Sequence, residues 1–147
     1  MKENLLFCWL PVLLWAIFIF GASANSNPYR SLPVSLALPL GSARIDRGWK
    51  KISVEELLGP FSHVGEYLVL AALTARAVNW RRDPRLSLLA IGFGMCALYA
   101  ISDETHQLFV IGRAFQWSDL ALDLGGSVLG VLAYAFVTFW RRRIDLI

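Results

Sequence analysis

The chain is poor in charge. Only 17% of its 147 residues are Asp, Glu, Lys or Arg, against about 25% in an ordinary soluble domain. Hydrophobic residues make up 56%, and the mean hydropathy is +0.53. The length suits one domain, residues 1–147, and few soluble domains of that size could bury so much apolar surface. A soluble enzyme and a disordered chain are both disfavoured. Cysteine is scarce as well: Cys8 and Cys96 are isolated within apolar runs. A disulfide-stapled secreted module is therefore excluded, no CxxC or other metal spacing exists, and the two thiols read as small buried hydrophobes. The sequence also lacks a P-loop, an HExxH, an internal repeat and any low-complexity tract. Long basic tracts are missing too. The short clusters Arg81, Arg82, Arg85 and Arg141, Arg142, Arg143 flank apolar runs, which is the pattern of membrane topology rather than of nucleic-acid binding. What remains is an all-α, polytopic membrane protein.

Crossing the hydrocarbon core takes about 20 apolar residues. Four runs are candidates: Leu5–Ala22, Phe61–Trp80, Leu86–Ser102 and Leu124–Trp140. Together they predict a four-helix transmembrane bundle. The last two hold 17 residues each and so reach only about 26 Å. Asp103 and Asp123, at their outer ends, are expected close to the hydrocarbon edge. The first run also carries leader-like features, namely Lys2, an apolar core and Ala22-Ser23-Ala24, but its length favours a retained helix. Eight of the fourteen Lys and Arg residues fall on one side if both termini are cytoplasmic, and those eight crowd the span ends, where they weigh most. The expected location is the cytoplasmic (inner) membrane, multi-pass, with both termini inside.

The first outer loop, residues 23–60, is long. Pro28, Pro33 and Pro39 keep its first half from being helical. Ser53-Val54-Glu55-Glu56 forms a capping-box pattern ahead of Leu57 and Leu58. Ile45, Trp49 and Ile52 share a helical face, which predicts a short helix lying in the interface. In the last span, Gly126 and Gly130 form a GxxxG, which suits close packing inside the bundle or, second, a dimer.

The polar residues converge on one end. His63 and Glu66 lie at the outer end of the second span. Asp103, Glu104, His106 and Gln107 end the third, Arg113 follows in a short loop, and Asp119 and Asp123 open the fourth. His63 and Glu66 are i, i+3; Asp103, His106 and Gln107 share a face; Asp119 and Asp123 are i, i+4. Such residues are costly in a membrane, and are by default a functional hypothesis. Asp119 and Asp123 alone repel by about 0.2–0.5 kcal/mol. Five carboxylates face Arg113 and two histidines, so protonation, cations of the first loop or a bound cationic group must balance them. The plainer alternative is structural: Ser118 or Asp119 capping the last helix, Arg113 and Asp119 fixing the loop, and Gln107 satisfying end carbonyls.

The run Ser102-Asp103-Glu104-Thr105-His106-Gln107, followed by Gly112-Arg113, Asp119, Asp123, Gly126 and Gly130, resembles the core of the VanZ-like family of bacterial integral membrane proteins. His63 with Tyr67 matches the family's H-x-x-x-Y, and Ser23 with Ser26 its S-x-x-S. The resemblance covers the chain from about Trp15 to Gly130. Four positions depart from it: Gly59-Pro60 stands where Asp-Lys is frequent, Asp123 replaces an Asn, and Ile111 replaces a Pro. Arg47, Lys50 or Lys51 could take over the role of the missing lysine. The family is named for a protein linked to low-level teicoplanin resistance, so the resemblance implies a cell-envelope setting.

Two functions follow as expectations. The first is recognition at the outer face of an envelope lipid or lipid-linked precursor, a glycopeptide or a partner membrane protein. The binding residues would be Ser23, Ser26, His63, Glu66, Tyr67, Asp103, Glu104, His106, Gln107, Arg113, Asp119 and Asp123. The second is a small membrane hydrolase or transferase acting on an envelope lipid. Asp103, Glu104, Asp123 or His63 would then be the catalytic acid or base, with a divalent ion such as Mg²⁺ as an option. Membrane lipids are expected partners in either case, and nucleic acid in neither.

Overall fold

A computed structural model describes residues 3–24, 44–47, 50–80 and 84–144. The described elements are α1 (Glu3–Ser23), β1 (Arg44–Arg47), β2 (Lys50–Ser53), α2 (Val54–Val78), α3 (Leu86–Gln107) and α4 (Trp117–Ile144). The protein is thus a helical membrane protein, with four long helices among the described residues. Three of them, α1, α3 and α4, contain windows long and apolar enough to cross a membrane. The fourth, α2, packs against each of the others and most extensively on α4. Its central position explains part of its composition: the partly buried His63 and Glu66 are tolerated on a helix largely shielded from lipid by its neighbours, while the exposed Arg76 lies in its last turn. Tyr67, Leu70, Ala71 and Ala75 of α2 are buried. The outer helices instead expose Leu6, Phe7, Leu13 and Ile17 of α1, and Leu129, Leu132 and Phe136 of α4. An apolar exterior around a polar centre is what a hydrocarbon solvent selects.

The helices run beyond the expected spans. α2 begins at Val54 rather than at Phe61 and passes through Gly59 and Pro60. α3 continues past Ser102 to Gln107, and α4 starts seven residues before Leu124. The chain can stay helical past its carboxylates because side chains of neighbouring elements meet them. The first loop also differs from expectation. Around Ile45 and Ile52 it forms an antiparallel hairpin, with Arg44 opposite Ser53, Ile45 opposite Ile52, Asp46 opposite Lys51 and Arg47 opposite Lys50. A seven-residue spacing aligns Ile45 and Ile52 in a helix and across this hairpin alike.

α2 and α4 run parallel, in intimate contact through glycines. A methyl group built on Gly126 would lie 2.5 Å from the Val64 carbonyl oxygen. One built on Gly130 would collide with the Leu68 carbonyl oxygen and with the Ala71 methyl. The GxxxG therefore serves packing within the bundle, with α2 as its partner. Elsewhere α2 meets α3 through Ala75, whose Cα would be 3.4 Å from a methyl on Gly92. Replacing Gly126 or Gly130 by Ala is expected to force α2 and α4 apart and to cost about 1–3 kcal/mol. Gly125 has nothing within 4 Å of the equivalent position, so Gly125→Ala should leave the melting temperature unchanged or raise it. Thermal melting of the three variants in detergent checks this.

Candidate functional site

At one end of the bundle, side chains from all four helices form a polar layer. The α2–α4 contact supplies its centre. His63 lies one residue before Val64, and Asp123 lies one turn before Gly126, so the glycine contact brings ring and carboxylate together. His63 Nδ1 is 2.9 Å from Asp123 Oδ1, and Nε2 is 3.7 Å from Asp119 Oδ2. With Asp123 ionised, its carboxylate only accepts and Nδ1 carries the proton of this bond. The repulsion expected between Asp119 and Asp123 is thus bridged by a ring placed between them. Asp123 is fully buried, whereas the His63 and Asp119 side chains are each 17% exposed. His63 therefore connects a carboxylate at the rim to one in the interior.

A second contact joins α1 to α3. Ser23 Oγ donates to Asp103 Oδ2 at 2.7 Å, and both residues are buried. Nearby, Trp15 Nε1 donates to the Glu66 carbonyl at 2.9 Å, and the Tyr99 hydroxyl to the Ala16 carbonyl. These aromatic donors hold α1 against α2 and α3.

A third group ties down the α3–α4 loop. Glu104 is fully buried and uses both oxygens: Oε1 accepts from Gln107 Nε2 and Oε2 from the Gln116 amide, each at 2.9 Å. Arg113 Nη1 lies 3.5 Å from Gln107 Oε1. Gly112, with φ +84°, makes the turn that sends Arg113 back toward α3; this backbone region favours glycine. At the start of α4, Gln116 Nε2 donates to Asp119 Oδ2 at 3.2 Å, and an acid in this first turn is favoured by the helix dipole.

The structure therefore brings together His63 with Asp119 and Asp123, Ser23 with Asp103, and Glu104 with Gln107 and Arg113. Glu66 is half-buried in α2, and its carboxylate has no hydrogen bond among the described residues. His106 turns away from Gln107 onto α1, where its ring lies 4.2 Å from that of Phe20. Ser26 lies outside the described residues. Arg47, Lys50 and Lys51 fall on the hairpin strands. Among the described residues, no group of three or more His, Cys, Asp or Glu side chains is arranged to hold a metal ion. Sequence reading missed Trp15, Tyr99 and the Gln116 amide. For the two aromatics a signal existed: an indole N–H or phenol O–H inside an apolar span needs a partner. A backbone amide carries no such mark.

The layer is incompletely satisfied. Asp103 Oδ1, Asp123 Oδ2 and the Tyr67 hydroxyl are buried without a hydrogen-bond partner among the described residues, although Tyr67, Asp103 and Asp123 are at most 2% exposed. Buried polar atoms are otherwise nearly always paired. The acids thus divide into two kinds. Glu104 is fully used by the loop, while Asp103 and Asp123 each keep one oxygen in reserve.

The profile of the VanZ/LLP1 family matches residues 7–139. The chain belongs to the VanZ/LLP1 family. The match runs from the first turns of α1 almost to the end of α4, so the entire polar layer lies within the VanZ/LLP1 region. No curated protein and no solved structure matched the chain.

Two stability predictions follow from this geometry. His63→Ala should leave Asp123 without its partner and cost about 1–3 kcal/mol, while Asp123→Asn, which keeps an oxygen for His63, should cost less. Glu104→Gln should melt below wild type, because an amide cannot accept at both positions. Asp103→Asn can still accept from Ser23 and should melt at or above wild type, as neutralised functional positions tend to do. Melting curves of the four variants in one detergent rank them directly.

Proposed function

We propose that this VanZ-like protein is a multi-pass protein of the cytoplasmic membrane, with both termini cytoplasmic, that binds a cell-envelope molecule at its outer face. The bound molecule is a lipid, a glycopeptide or a segment of a partner protein, and it brings cationic hydrogen-bond donors. The observation that carries this reading is the set of reserved acceptors, Asp103 Oδ1 and Asp123 Oδ2, beside the unpartnered Tyr67 hydroxyl. An amine would satisfy such acceptors and offset buried negative charge. Ser23 and His63 hold the two carboxylates in place, Asp119 and Glu66 extend the acidic lining toward the rim, and Arg113 offers a guanidinium for an anionic part of the same molecule. Glu104 and Gln107 shape the loop above. The placement of the Lys and Arg residues supports the assignment of this end to the outside.

The test uses the full-length purified protein and two amine-bearing probes, short-chain phosphatidylethanolamine and a lysine-containing muropeptide, each beside its N-acetylated form. At least one free amine is expected to raise the melting temperature, its N-acetylated form is not, and Asp103→Asn combined with Asp123→Asn should abolish the shift. Equal shifts from acetylated and free probes, no shift from either, or a shift that survives the double variant would each overturn the reading.

A further inference from the structure

Away from the polar layer, α2 and α4 line an apolar groove of about 330 Å³. Its α2 wall begins at Leu68 and continues with Val69, Ala72, Leu73 and Arg76; the last four are the ones that set its direction. These residues follow i, i+3, i+4, i+7 spacing and so form one stripe, with the arginine as its last member. The facing α4 wall includes Tyr134 and Val137. Continued by the same period, that stripe reaches Arg141, also i+7 from Tyr134. Both Arg76 and Arg141 are exposed.

The register between the two helices sets both arginines at similar depth. Val64 lies over Gly126 and Leu68 over Gly130, an offset of 62 residues in parallel helices. Extended at that offset, Arg76 comes level with Thr138, three residues and thus about 4.5 Å before Arg141. An apolar trough therefore opens onto two guanidinium groups at the end where α4 leaves the bilayer.

We propose that this groove is a binding site for an anionic phospholipid of the adjacent leaflet, with one acyl chain along the trough and the headgroup phosphate between Arg76 and Arg141. Charge decides the occupant. Two exposed guanidinium groups at one level attract an anion, and Arg binds phosphate well. A second copy of the chain, packed here about a two-fold axis along the bilayer normal, would place its own Arg76 and Arg141 against these, with like charges facing. A zwitterionic lipid would fill the trough but bring its own cation to the arginines. The site is separate from the polar layer at the other end and does not depend on the function proposed for it.

The experiment measures lipid binding to delipidated, full-length protein in detergent, by native mass spectrometry and by melting temperature. The probes are dioleoyl-phosphatidylglycerol, dioleoyl-phosphatidylcholine and the free headgroup glycerophosphoglycerol. Phosphatidylglycerol is expected to bind at least ten-fold tighter than phosphatidylcholine, and the free headgroup not measurably. Arg76→Gln with Arg141→Gln should bring the two lipids level. Arg143→Gln is the matched control: Arg143 lies half a helical turn from the Tyr134 stripe, packed 5.0 Å over the Phe139 ring, and its loss should preserve the preference. Ala72→Phe, which fills the trough, should weaken both lipids ten-fold or more, and Val69→Phe serves if that variant does not fold. Three results would overturn the site: no preference in wild type, an equal loss of preference with Arg143→Gln, or a phosphatidylglycerol affinity undiminished by a filled trough. The last two would reduce the effect to general attraction between a basic helix end and an anionic surface.

Discussion

The close approach of α2 and α4 governs the rest of the structure. Two glycines on α4 let the backbone of α2 come against it at Val64 and Leu68. No side chain on α4 separates the helices there, so their rotation and register are fixed by backbone contact. The two ends of the bundle follow from that one contact. Toward the N-terminal ends of α2 and α4, the register carries His63 onto Asp123. Toward their C-terminal ends, Leu73 and Arg76 of α2 and Tyr134 and Val137 of α4 line the groove. A hydrocarbon solvent gives little drive for apolar faces to associate, so small-residue packing and hydrogen bonds must supply cohesion. Here the packing is at Gly126 and Gly130, and the hydrogen bonds are gathered in the layer above.

That layer combines fastening and reserve. Glu104 illustrates fastening: it binds a side-chain amide on its own helix and a backbone amide nine residues past the helix end. Ser23 and Asp103 fasten α1, with Trp15 and Tyr99 assisting through backbone carbonyls. Asp103 and Asp123 illustrate reserve, since each is anchored through one oxygen and leaves the other unused. The anchoring matters as much as the unused atom. A carboxylate held at one oxygen presents the second in a fixed direction, and a binding group that is already oriented loses little freedom when its ligand arrives.

Much of this was legible in the sequence, to different depths. Low charge and four apolar runs were enough for a helical membrane protein. Helical spacing was enough to gather His63, Asp103, Asp119 and Asp123 at one end. Ser23 and Tyr67 are a serine and a tyrosine among many, and only family resemblance singled them out. The pairings were not legible. Which acid His63 meets depends on the register between α2 and α4, and although Gly126 and Gly130 were visible, their partner helix was not. His106 shares a predicted face with Asp103 and Gln107, yet the neighbouring Phe20 draws its ring onto α1. The hairpin was missed because the spacing of Ile45 and Ile52 fits two conformations equally, and the helix ends were missed because satisfied carboxylates need not end a helix.

Helix length has a mechanical consequence. α4 has 28 residues and spans about 42 Å, whereas α1 has 21 and spans about 32 Å. A hydrocarbon core of about 30 Å lets α1 stand almost upright, while α4 protrudes from it, with Asp119 near one end and Arg141, Arg142 and Arg143 at the other. Because the glycine contact locks α2 to α4, any lean of one is shared by the other. The Ser23–Asp103 bond crosses from α1 to α3, beside that pair. A thicker or thinner bilayer changes the lean, and with it the shear across the polar layer. Membrane thickness thereby becomes an input to the geometry of the acids, and the same chain would hold its carboxylates differently in membranes of different lipid length.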